Sequence, residues 1–179
     1  MSDLPGRSAA NSTTSEVRGD RATLVLRRLL RHPPATVWRA ITDPDQIRQW
    51  FLTTAKIDGR VGGEVDMTTG PDGVHATGRV LAWDPPRLFE YEWNVTDPNN
   101  RLFNGERSRV SWELTPAESG TMLVLTHRDL TRKTAAVFEL GLSVFLGRLE
   151  AQLDGRELPD WERGVQEARR LGFVAKTPN

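Results

Sequence analysis

The sequence predicts one α+β domain in which seven antiparallel strands wrap a long C-terminal helix and leave an apolar cavity between them. Three observations carry that expectation. Short runs between Ala22 and His127 alternate apolar and polar residues at period two. Two Pro-headed helical stretches interrupt them straight after the first run. From Thr131 onward the apolar spacing lengthens to three and four residues.

The first strand is predicted over Ala22 to Arg31, with Leu24, Leu26, Arg28 and Leu30 on one side. His32-Pro33-Pro34 ends it, and the second proline sits where a helix begins, a position whose N–H has no helical partner to lose. Val37, Trp38 and Ile41 then mark one face of a helix over Ala35 to Thr42. Asp43 caps a second short helix, Pro44 opens it, and Ile47, Trp50 and Phe51 supply its apolar face. Six further strands are predicted over Thr54 to Asp58, Gly63 to Thr68, Val74 to Trp83, Leu88 to Asn94, Ser108 to Thr115 and Thr121 to His127. Clusters of Gly, Pro, Asp and Asn divide them, which implies an antiparallel meander.

Period two places Phe89, Tyr91 and Trp93 on one face of their strand, Val110, Trp112 and Leu114 on the next, and Leu123, Leu125 and His127 on the last. These faces are expected to form one concave wall. Gly62-Gly63 reads as a bulge or tight turn, and the irregular stretch from Thr96 to Glu106 as surface, with a cavity lid as the alternative. Phe138, Leu142, Phe145, Leu149 and Leu153 recur at helical spacing, with Leu146 beside them, and Asp154-Gly155 closes that helix. Trp161, Val165, Ala168 and Leu171 suggest a short appended helix. The expected organisation is a disordered tail over 1–20, the domain over 21–155, and an appended helix and tail over 156–179.

Composition narrows the function classes. The 24 basic and 24 acidic residues balance, so no net field recruits nucleic acid or an anionic membrane. No stretch reaches the length of an apolar membrane span, and the chain has no cysteine, so a soluble cytoplasmic protein without disulfides or thiolate metal sites is expected. His32, His75 and His127 fall in different elements without metal-ligand spacing. Gly141-Leu142-Ser143-Val144-Phe145 lacks the second glycine of a nucleophile elbow and lies within the long helix. With no P-loop and no GxGxxG, no cofactor, no metal and no catalytic residue is predicted.

Several polar residues remain as candidates. His127 points to the inner face; it is expected to bond a helix end or a backbone carbonyl, with ligand contact, or proton transfer oriented by Asp129, as alternatives. Arg28 shares the inward register and needs a carboxylate, from the protein or from a ligand. Arg79 is expected to face solvent. Tyr91, Trp38, Trp83, Trp93 and Trp112 are core aromatics which, converging on one cavity, would suit a flat aromatic or polycyclic guest.

The run from His32 to Pro44 with Trp50-Phe51 is similar to the opening of a known family, the branch named after the C-terminal domain of the activator of Hsp90 ATPase. Arg60-Val61-Gly62-Gly63, the Asp84-Pro85-Pro86 turn into Leu88 to Trp93, Thr126-His127 with Leu130, and Gly141-Leu142 resemble it in the same order, over roughly Ala22 to Gly155. The resemblance implies the helix-grip (Bet v 1-like) fold of the START superfamily. Strand alternation and helical spacing line the expected cavity with Arg28, Trp38, Phe89, Tyr91, Trp93, Val110, Trp112, Leu123, Leu125, His127, Phe138, Leu142, Phe145 and Leu149. Many relatives carry a tryptophan where this chain has Leu142, which implies extra room beside Phe138 and Phe145. The expected function is non-catalytic binding of a small hydrophobic or amphipathic molecule, an aromatic one included, in the cavity between the sheet and the long helix. A cyclase, aromatase or hydrolase, or a stress-response module with an Hsp90-like chaperone as partner, are the alternatives.

Overall fold

The computed structural model describes residues 11–51, 54–69, 73–96 and 103–170, and the side chains of that last stretch as far as residue 166. Eight antiparallel strands form one sheet: β1 (Ser12–Arg18), β2 (Arg21–Leu30), β3 (Thr54–Ile57), β4 (Glu64–Thr69), β5 (Val74–Asp84), β6 (Leu88–Val95), β7 (Arg107–Ala117) and β8 (Gly120–Thr131). Their spatial order is β1-β2-β8-β7-β6-β5-β4-β3. All neighbours in sequence pair except β2 and β3. There the chain crosses the sheet through α1 (Pro34–Thr42) and α2 (Pro44–Trp50), leaving β2 to pair with β8. The long helix α3 (Arg132–Leu153) packs against the sheet, and α4 (Trp161–Arg170) packs against α3.

The expected sheet gains a strand. Residues 1–10 lie outside the described residues, but the disordered tail expected as far as Asp20 gives way at Ser12 to β1, which pairs with β2 from Ser12 opposite Arg27 to Arg18 opposite Arg21. Gly19, at a φ of 64°, makes the two-residue turn between them. Most of β1 is exposed, so the backbone ladder holds it rather than apolar burial, and period-two hydrophobicity could not reveal it.

Two bulges re-aim the cavity wall. Along β8, Leu130 faces Ala22 but His127 faces Leu24, so one extra residue is inserted between them. Asp129 absorbs it at a φ of 65°, a left-handed conformation that aspartate tolerates better than most residues. His127 and Leu130 therefore both point inward and are buried, and β8 continues past the expected end at His127. A second shift, between Val80 and Ala82 on β5, turns Trp83 toward Trp38 and Phe89. The Gly62-Gly63 turn is as tight as expected: a Cβ on Gly63 would lie 2.1 Å from the Asp58 carbonyl oxygen.

Side chains from neighbouring elements lock the helices. Asp43 accepts the Asp45 N–H at 2.9 Å, and the buried Trp50 Nε1 donates to the Ala40 carbonyl at 2.9 Å. Arg148 of α3 is buried, and its guanidinium donates to the carbonyls of Trp50 at 2.8 Å, Gln49 at 3.1 Å and Pro159. A cation at the C-terminal end of α2 also matches that helix's dipole. The start of α3 is held by Glu106, a buried carboxylate that accepts from the Thr131 N–H at 2.9 Å and from both the Thr131 and Thr134 hydroxyls.

Candidate functional site

A cavity of ≈130 Å³ lies between the inner face of the sheet and the first half of α3. Tyr91 and Trp93 of β6, Val110 and Trp112 of β7, and His127 of β8 form its floor; Val137, Phe138, Gly141, Leu142 and Phe145 of α3 form its roof. Phe51 at the end of α2, Thr69, Val74, Phe103 and Trp161 complete the lining. The rings brace one another edge to face: Phe51 and Phe145 have centroids 4.4 Å apart, Phe103 and Phe138 5.0 Å, and His127 and Phe138 4.7 Å.

Eight of the fourteen expected lining residues meet here: Tyr91, Trp93, Val110, Trp112, His127, Phe138, Leu142 and Phe145. The other six do not. Leu123, Leu125 and Leu149 are wholly buried, and Trp38 and Phe89 are buried with them, in solid core where α1 packs against β7, β8 and α3. Arg28 lies beside β1, where its Nη1 donates to the Ser12 carbonyl at 3.2 Å and the Arg27 carbonyl at 2.7 Å. Burial lowers its pKa, and the nearby Glu150 carboxylate opposes that shift. Its neighbours are protein groups, not the cavity.

Sequence reasoning missed Phe51, Thr69, Val74, Phe103, Val137, Gly141 and Trp161. Phe51 was legible as apolar but belonged to a helix stripe with no indication of depth. Phe103 and Trp161 lie outside the periodic core, in the loop before β7 and on the appended helix. Trp161 also alters the expectation attached to Leu142. A Cβ on Gly141 would be 3.8 Å from the Trp161 ring, whose centroid is 5.2 Å from that of Phe145, so an indole from α4 occupies part of the extra room. Gly164 permits this approach, because a Cβ there would meet Val144 Cγ1 at 2.6 Å.

Polar groups are few. His127, 1% exposed, is joined through Nε2 to Ser108 Oγ at 2.8 Å, and its Nδ1 has no hydrogen-bond partner among the described residues. The expected backbone or helix-end partner is a serine hydroxyl instead, and Asp129 does not orient the ring. The bulge turns Asp129 outward, where Arg109 donates to it at 2.7 Å. Burial pushes the His127 pKa down to about 3, so the imidazole is neutral. Burial raises the Tyr91 phenol to about 12, and a hydrogen bond with the Trp112 side chain opposes that shift. The Trp93 Nε1 is buried without a partner among the described residues. Elsewhere, Arg79 is exposed beside Gly62 and Glu64, as expected.

Among the described residues no cluster of three His, Cys, Asp or Glu side chains could hold a metal ion, and no helix is long and apolar enough to cross a membrane.

A family model described as activator of Hsp90 ATPase homolog 1-like protein matches residues 31–154. Among solved structures, a protein from Mesorhizobium loti is similar at 29% identity, covering 76% of this chain and 99% of its own, with a TM-score of 0.65. CalU16 from Micromonospora echinospora is similar at 23% identity, covering 96% and 100%, with a TM-score of 0.68. A protein from Bordetella parapertussis aligns at 20% identity over 96% and 94%, with a TM-score of 0.67. The last two show the fold alone. No curated protein is a significant match.

Proposed function

The chain belongs to the activator of Hsp90 ATPase homolog 1-like family, and from that premise we propose that it binds a small hydrophobic or aromatic molecule, without catalysis, in the cavity between the sheet and α3. The observation that carries the proposal is the cavity's lining, in which rings and aliphatic side chains from β6, β7, β8, α3 and α4 converge on one space within the core. Such a site takes its affinity from apolar area and its orientation from a few polar atoms. Its volume is close to that of the roughly 150 Å³ engineered cavities that take up benzene, so the guest it suits is a single ring rather than the polycyclic one its tryptophans suggest.

The non-catalytic reading is supported by the two titratable groups in the lining. Tyr91 holds its proton to about pH 12 and His127 refuses one down to about pH 3, so neither is poised for proton transfer near neutrality. Among the described residues no carboxylate is bonded to His127 to change that.

The test is a thermal-shift and NMR titration with a panel of single-ring aromatics, repeated on Leu142→Trp, which fills the cavity from α3. The expected outcome is stabilisation of the wild type by at least one ring compound, with shifts confined to lining residues, and no response from the filled variant. Equal responses from both proteins would refute the assignment of the site.

A further inference from the structure

We propose that α4 is a hinged lid over the cavity, and that a guest enters and leaves when Trp161 lifts off α3. The inference rests on the cavity-binding reading above and adds how access to that site is controlled.

Its basis is the way α4 is held. The base of the helix is tied to the body of the fold, because the buried Arg148 donates to the Pro159 carbonyl while bonding the carbonyls of Gln49 and Trp50. Asp160, the next residue, caps α4: its Oδ1 accepts the Arg163 N–H at 2.7 Å, and its carbonyl accepts the Gly164 N–H at 2.9 Å. A continuous helical unit is thus joined to a fixed point at the Pro159-Asp160 junction. Beyond that junction the hold is slight. The helix packs chiefly against α3, through the partly buried Trp161 and Val165 and the buried Gly164. Among the described residues, no side-chain hydrogen bond or ion pair joins α4 to α3. An element with so few buried contacts opens at a small fraction of the global unfolding free energy.

The place that α4 covers is where the cavity reaches the surface. Val137 lines the cavity one helical turn before Gly141 and is 37% exposed, whereas Leu142 and Phe145 are buried. The Trp161 ring lies over Gly141, whose Cβ position is 3.8 Å from it, and beside Phe145, at 5.2 Å between centroids. Other rings of the lining are braced from several elements: Phe51 meets Trp50, Trp93 and Phe145, and Phe138 meets Phe103 and His127. The ring contact of Trp161 among the described residues is with Phe145. Gly164 is the seat that lets the indole reach so far in, since a Cβ there would meet Val144 Cγ1 at 2.6 Å. A glycine inside a helix costs about 1 kcal/mol relative to alanine, so close seating of α4 is obtained at the expense of the helix's own stability.

Because the chain has no cysteine, a disulfide latch tests this directly. The Cβ position on Gly164 is 3.6 Å from Val144 Cβ, within the span that a disulfide bridges, and neither residue lines the cavity. In the full chain carrying Val144→Cys and Gly164→Cys, oxidation should fasten α4 to α3 and reduction should free it. Toluene exchange is measured by NMR on both forms. Association and dissociation should both be slower by about tenfold or more in the oxidised form, with the dissociation constant changed by less than about threefold, because fastening a lid raises the barrier and leaves the site as it was. Equal rates in the two forms, or a change in dissociation alone, would overturn the lid while leaving the cavity reading intact. Toluene binding to neither form nor to the wild type would overturn both. If the disulfide does not form or the double variant does not bind, Gly164→Leu decides. By unseating α4 it should speed both rates by about fivefold relative to the wild type, and unchanged or slower rates refute the lid.

Discussion

The two halves of the layer between the sheet and α3 are built from the same strands, yet one is solid and the other hollow. In the solid half Leu123, Leu125 and Leu149 are fully buried, and α1, whose Val37, Trp38 and Ile41 are buried too, packs against β7, β8 and α3. In the hollow half Val110, His127, Leu142 and Phe145 line the ≈130 Å³ cavity, and among the described residues no helix fills the gap as α1 does. Side-chain hydrophobicity does not distinguish the halves; the third element does. Where a short helix completes the packing, the layer serves stability, and where side chains from α2, β4, β5, α4 and the loop before β7 border the space instead, room is left for a guest.

Mutation should break the comparison most visibly at Leu149 and Leu142. Leu149→Ala removes a side chain with no solvent contact from a close-packed region, and a loss of about 4 kcal/mol in unfolding free energy is expected. Leu142→Ala borders existing space, so fewer packing contacts are lost and about 1.5 kcal/mol is expected. Urea denaturation of both variants measures the difference. Equal losses would mean that the hollow half is packed as tightly as the solid one.

The fold was far more legible in the sequence than this division. Alternation located the strands from β2 to β8, and Pro34, Asp43 and Pro44 located the short helices, because each of those signals is local. The floor of the cavity was legible for the same reason: Tyr91, Trp93, Val110, Trp112 and His127 take their direction from strand alternation. Period two could not say how deep each residue would lie, and so it grouped Leu123, Leu125, Phe89 and Leu149 with the lining although α1 covers them. Nor could it foresee the bulge at Asp129, which reverses that residue's direction and removes the carboxylate that would have oriented His127. Trp161 required knowing where α4 docks, and that approach depends on Gly164 of α4, where a Cβ would meet Val144 of α3 at 2.6 Å.

His127 provides a probe of the hollow half that the solid half lacks. Its folded pKa, about 3, is below the ordinary value of 6.5, so the unfolded chain takes up a proton that the folded chain refuses. The stability it contributes is fully present above pH 6.5 and is lost as the pH falls toward 3. Between pH 7.5 and pH 5 this amounts to about 2 kcal/mol. Denaturation across that interval should show the wild type losing that much more than His127→Gln. Matching pH profiles would mean that the imidazole is solvated within the cavity, and the hollow half would then be wetter than its lining indicates.

The smallest stability effect is expected at Trp161, where the functional effect should be the most selective. The residue lies beyond the segment matched by the family model, is only partly buried, and closes the cavity over Gly141 and Phe145. Because it belongs to the rim, Trp161→Ala should cost about 1 kcal/mol, well below the usual loss for a tryptophan in a core. Its removal lengthens the hollow half outward without disturbing α1 or the solid half. A two-ring aromatic such as naphthalene should then gain affinity relative to toluene, whereas the wild type should favour toluene. That ratio, measured on both proteins, separates a rim that sets guest size from one that merely covers α3. If it does not move, the size limit lies deeper, among Val110, Trp112 and Phe145, and α4 is a structural brace.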